Sequence, residues 1–157
     1  MRDVAQLVIP RTATAGAGEV GVGSFVLLGL AHGLQDAHRP VSDPALAAFN
    51  GADGRFDYPR WLAAELDRRV GGAFLRAPLV RRQAALAALD ADAFGGQAIA
   101  KPWQTIKRLV VTGYYTSETG GAREQRYEPV PGRFDADLPV DATTRAISND
   151  WTAVDFG

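Results

Sequence analysis

Through residues 1–115 the apolar side chains recur every three or four positions, and no run alternates with strand period over five or more residues. A helix buries one stripe at that longer spacing, whereas a half-buried strand needs strict alternation. The pattern predicts an all-α chain whose body is a small helical bundle.

Local signals divide the body into helices. Val4, Leu7 and Val8 predict a short first helix, ended by Pro10, whose ring cannot continue it. After a stretch rich in Thr, Ala and Gly, Val22, Phe25, Val26 and Gly29 predict a second, in which Gly29 and Gly33 would admit another helix at close range. Ser42-Asp43-Pro44 is a helix start, cut short by Asn50-Gly51. Asp57 is placed to cap a longer helix with the stripe Tyr58, Trp61, Leu62, Leu66 and Val70, a Glu65–Arg69 pair at i,i+4, and Gly71-Gly72 at its end. Leu79, Gln83, Leu86 and Leu89 mark another, whose Ala84, Ala85, Ala87 and Ala88 suit close packing and which Asp90, Asp92 and Gly95-Gly96 are expected to interrupt. Trp103, Ile106, Val110 and Tyr114 share the face of a last helix beginning at Pro102; aromatic residues at this spacing are assigned to packing rather than to a cofactor.

Residues 116–157 differ in kind. Val, Ile, Leu and Phe make up seven of these 42 residues, three prolines interrupt them, and acids outnumber arginines eight to four. Such a segment cannot build a core alone. The chain is therefore divided into a helical body, 1–115, and a long extended, mostly irregular C-terminal tail, 116–157. Tyr127, Phe134, Trp151 and Phe156 are spaced along the tail as aromatic anchors suited to docking on another protein. The body carries a net charge of +3 and the tail −4, which is equally compatible with tail-to-body contact.

Composition removes several kinds of chemistry. A net charge of −1 and a pI near 6.1 give no electrostatic footprint for nucleic acid or an anionic membrane. The absence of Cys excludes thiol catalysis, thiolate-bound zinc, iron–sulfur clusters and attachment of a c-type haem through C-x-x-C-H. The longest apolar stretch, residues 20–34, contains His32 and four glycines and is too short to span a bilayer. No charged segment followed by an apolar one opens the sequence, so no export signal is expected in this form.

Three constellations invite a catalytic or binding assignment. Gly16-Ala17-Gly18-Glu19-Val20-Gly21 is a literal G-x-G-x-x-G, but a dinucleotide site requires a strand ending at the first glycine, and Pro10 with five further residues separates Leu7-Val8-Ile9 from it. A flexible Gly-rich connection is favoured, with a nucleotide-binding protein kept as the alternative and a free-standing helical adaptor as a third reading. His32, His38 and Asp36 match no familiar metal-ligand spacing, and a His near the last carbonyls of a helix is the simpler assignment. Asp90 and Asp92 point to different faces and are read as a solvated turn. No catalytic, cofactor-binding or metal residue is assigned.

Gly113-Tyr114-Tyr115-Thr116-Ser117, followed by Tyr127-Glu128-Pro129-Val130-Pro131-Gly132-Arg133-Phe134-Asp135, resembles the gluconate 2-dehydrogenase subunit 3 family. Val8-Ile9-Pro10-Arg11-Thr12-Ala13-Thr14-Ala15-Gly16-Ala17, then Gly21-Val22 and Phe25, resembles that family's opening segment. The resemblance implies a small, cofactor-free accessory subunit of a large flavoprotein dehydrogenase of the glucose–methanol–choline type. It implies FAD in that partner, a multihaem cytochrome c in a possible third subunit, and periplasmic location after twin-arginine export. Relatives serve dehydrogenases of gluconate, fructose-like sugars and glucosides oxidised at the 3-hydroxyl. The contacts it implies for the partner are Tyr114, Tyr115, Thr116, Tyr127, Pro129, Pro131, Arg133, Phe134 and Trp151.

Overall fold

Most of the predicted helices begin or end on residues whose chemistry leaves the backbone little choice. In the computed structural model, which describes residues 1–127, 137 and 139–148, the helices are α1 (Arg2–Val8), α2 (Val22–Ala31), α3 (Tyr58–Val70), α4 (Leu79–Phe94) and α5 (Pro102–Tyr115). Asp57 opens α3 by accepting the Arg60 backbone N–H, and Gly71, at φ 67°, closes it in the left-handed conformation that side chains other than glycine resist. Asp43 accepts the Ala45 N–H at the head of the short 3-10 turn Pro44–Phe49, which stops at Asn50 as predicted. Further 3-10 turns lie at Leu34–Asp36, Phe74–Arg76 and Ala98–Ala100.

The fifth helix forms the centre of the bundle, with α1, α2, α3 and α4 all packed against it. Trp103, Ile106, Leu109, Val110 and Tyr114 of α5 are buried, as are Trp61, Leu62 and Leu66 of α3 and Leu86 and Leu89 of α4. Burying each large apolar side chain contributes about 1.5–3 kcal/mol, so the stripes read from the sequence are what hold the helices together. The all-α body predicted by periodicity is the observed one.

Helices α2 and α5 approach closely at two glycines. Gly29 of α2 lies beneath Leu109, and Gly113 of α5 lies beneath Phe25, where a Cβ would fall 2.5 Å from the ring. Gly29 thus admits a neighbouring helix as expected. Gly33 does not: it turns the chain at φ 78° after α2, and the space its missing Cβ leaves is filled by the His38 ring.

Two boundaries differ from the sequence reading. Asp90 and Asp92 do not interrupt α4, which runs to Phe94, because both carboxylates are engaged by neighbouring elements. Asp90 accepts from Trp103 Nε1 at 2.7 Å and Lys107 Nζ at 2.8 Å, and Asp92 from Arg69 at 2.6 Å and Gln97 at 3.2 Å. Neither is a solvated turn residue. Helical backbone also continues past residue 115, through a π-helical turn at Thr119–Glu124. Ser117 Oγ donates to the Tyr114 carbonyl at 2.6 Å and accepts from the Gly120 N–H, and glycines at 120 and 121 let this turn lie directly on the end of α5. Beyond it, the two-residue strands β1 (Arg126–Tyr127) and β2 (Ile147–Ser148) pair in parallel.

Candidate partner-binding surface

Two of the stretches of sequence that carry the family resemblance, the opening segment and residues 113–117, about 100 residues apart, are in contact. Tyr114, 1% exposed, donates its hydroxyl to the Ala15 carbonyl at 3.0 Å and lies 3.3 Å from Thr14 Oγ1, which in turn donates to the Glu124 carboxylate. The end of α5, the opening segment and the π turn are thereby tied into one unit. A buried tyrosine hydroxyl without a partner would be costly, and this arrangement provides one.

Tyr114 is accordingly a residue of this chain's own core and offers a partner no surface. Tyr115 does: 39% exposed, it stands edge-on to Tyr114 with ring centroids 5.2 Å apart. Thr116 is exposed, and its hydroxyl folds back to the Thr112 carbonyl at 2.7 Å. Beside them an open hollow of about 480 Å³ is lined by Thr12, Thr14, Tyr115, Arg123, Thr144 and Arg145. The backbone of Tyr127 lies in β1, paired with Ser148. Pro129, Pro131, Arg133, Phe134 and Trp151 lie outside the described residues.

The Gly-rich opening segment is built for packing. Every backbone N–H from Gly16 to Val20 is hydrogen-bonded inside the chain: Gly16 to Glu19 Oε2, Ala17 to Ile9 O, Gly18 to Gln6 Oε1, and Glu19 and Val20 to Gly16 O. Arg11 closes the loop on Glu19 at 2.5 Å. Its hydrogen bond, and next the Gly16 N–H, hold the Glu19 carboxyl below the usual carboxylate range. A Cβ on Gly16 would lie 2.8 Å from the Arg11 backbone nitrogen, and one on Gly18 2.7 Å from the Arg2 carbonyl. These glycines are present for close approach to α1, not as a loose connection, and the loop amides from Gly16 to Val20 are already used.

The remaining sequence candidates are likewise absorbed by the fold. His38 Nε2 donates to the Ala31 carbonyl at 2.9 Å, the helix-end role expected of a histidine there. Glu65, 6% exposed, is clasped by Arg68 at 2.6 Å and Arg69 at 2.7 Å. Burial pushes its carboxyl up, but the arginine hydrogen bonds outweigh this and hold it below the usual range. Asp90 behaves in the same way, with burial opposed by Lys107 and Trp103. Thr14, Ala15 and Glu124 were not singled out by the sequence reading. Thr14 and Ala15 stand within the opening motif, and nothing in the sequence indicates that Tyr114 and Glu124 are their partners.

These features define a class: a small all-α bundle whose opening segment and final helix are fastened together at an edge that exposes Tyr115 and Thr116. The family model described as gluconate 2-dehydrogenase subunit 3 matches residues 1–132, and the chain belongs to that family, which is a subunit of a dehydrogenase complex. No curated protein and no solved structure matches the chain. Among the described residues no helix is long and apolar enough to cross a membrane.

Proposed function

We propose that this chain is the non-catalytic small subunit of a flavin-dependent sugar, polyol or glucoside dehydrogenase of the glucose–methanol–choline type. In this role it stabilises the flavoprotein in a chaperone-like manner and assists its twin-arginine export to the periplasm. FAD belongs to the partner, and haem c to a third subunit where one is present. The observation that carries the reading is the extent of the family match, which takes in the whole helical body together with Tyr127, Pro129 and Pro131. The closed Gly-rich turn weighs against the nucleotide-binding alternative, since its amides from Gly16 to Val20 are already hydrogen-bonded inside the chain.

The test is co-expression with the dehydrogenase subunit. The complex is expected to purify with flavin absorbance and sugar-dependent dye reduction, while the isolated chain shows neither. Stoichiometric flavin or haem absorbance in the isolated chain would refute this assignment.

A further inference from the structure

The outward face of α5 bears a second feature that the assignment above leaves unused. Lys101, at the head of the helix, and Thr105 and Arg108 within it form one wall of an open hollow of about 570 Å³. The turn carrying Asp36, Arg39 and Asp43 forms the other. Both carboxylates are engaged, Asp36 with Arg39 at 3.2 Å and Asp43 with the Ala45 N–H at 2.9 Å. The side chains of Lys101 and Arg108 have no ion-pair or hydrogen-bond partner among the described residues. Tyr58 also lines the hollow. The first turn of α5 contains no acidic residue and no side-chain cap, so the positive end of the helix adds to the Lys101 ammonium.

We infer that this hollow receives a side-chain carboxylate of the dehydrogenase subunit, an inference that rests on the proposed function. Three cations against two carboxylates leave one net positive charge, which matches a monoanion. A phosphate dianion would place its second charge against Asp36 and Asp43 without compensation. Arg108 offers a planar fork of N–H donors and Lys101 a point charge, a donor set that a carboxylate can satisfy. The hollow is also continuous with the edge described above. Arg108, Val111 and Tyr115 follow at i, i+3 and i+7 and are all exposed, so one stripe about 10 Å long joins the two. A partner that covers Tyr115 along α5 reaches the hollow.

The experiment compares capture of the co-expressed dehydrogenase subunit by the wild-type chain, by K101E/R108E and by K101Q/R108Q, each checked for helicity by circular dichroism. Capture by the wild type should weaken with salt, and K101E/R108E should bind roughly 30-fold or more weaker, the scale for loss of a desolvated charge partner. K101Q/R108Q should bind weakly with a flattened salt dependence, so the test holds even if the charge reversal does not fold. Folded variants that capture the subunit as well as wild type, with unchanged salt dependence, would overturn the carboxylate contact while leaving the function intact. Failure of the wild-type chain itself to capture the subunit would overturn both. A rise in melting temperature of the free wild-type chain in inorganic phosphate, absent in sodium acetate of equal ionic strength and lost in K101Q/R108Q, would make this a phosphate site and overturn the proposal.

Discussion

The hydroxyl of Tyr114 donates to the carbonyl of Ala15 across 99 positions of sequence, and through it the end of α5 holds the opening segment in place. Tyr114→Phe keeps the ring and takes the donor from the partly buried carbonyl of Ala15, which costs about 1 kcal/mol. The expected outcome is a lower urea midpoint with an unchanged slope, together with faster hydrogen exchange in residues 11–17. An exchange pattern identical to wild type would show that the opening segment is held by other contacts.

The contact between Gly113 and Phe25 leaves no space for a methyl group. Gly113→Ala should destabilise by about 1–3 kcal/mol, the usual cost of overpacking, because the ring meets the new atom at 2.5 Å. Gly29→Ala faces the flexible end of Leu109 at 3.1 Å and gains about 1 kcal/mol of helix propensity, so it should be near neutral. Thermal melts of the two variants check the ordering, and Phe25→Leu combined with Gly113→Ala should recover part of the loss.

Acid should unfold the protein through Glu65 and Asp90. Both carboxyls are held below their usual range in the folded chain, so the unfolded state binds protons more tightly. Their stabilisation is complete above the ordinary carboxylate pKa of about 4 and is lost as pH falls through the lower folded values. Glu65→Gln and Asp90→Asn should each be less stable than wild type at pH 7 and show a shallower loss of stability below pH 5 in urea titrations. In Asp90→Asn the amide oxygen can still accept from Trp103, so the indole fluorescence should change less than in Asp90→Leu.

Removing the C-terminal residues should abolish capture of the dehydrogenase subunit without unfolding the body, provided the cut is placed correctly. A chain ending at Tyr115 would also lose Ser117, Gly120 and Glu124, which cover and fasten the end of α5. A chain ending at Tyr127 keeps them. Its circular dichroism should match the full chain while co-purification of the partner falls at least tenfold; undiminished co-purification would move the interface to the helices.

The sequence by itself determined the helical class and most of the packing faces. Trp61, Leu62 and Leu66, and Trp103, Ile106 and Val110, lie on faces set by the 3.6-residue repeat, and Asp57, Asp43, Gly71 and Asn50 act through the backbone beside them. Such signals are local and can be read from one window. What only the tertiary structure decided were the partners of polar groups distant in sequence. Asp90 and Asp92 resemble helix breakers until Trp103, Lys107 and Arg69 are brought to them, and residues 116–124 resemble an extended chain until Tyr114 gives Ser117 and Gly120 a surface to coil on. The Gly16 to Gly21 turn resembles a nucleotide loop until Gln6 and Glu19 occupy its amides. A hydrogen bond depends on two groups and a distance, and the sequence specifies only the groups.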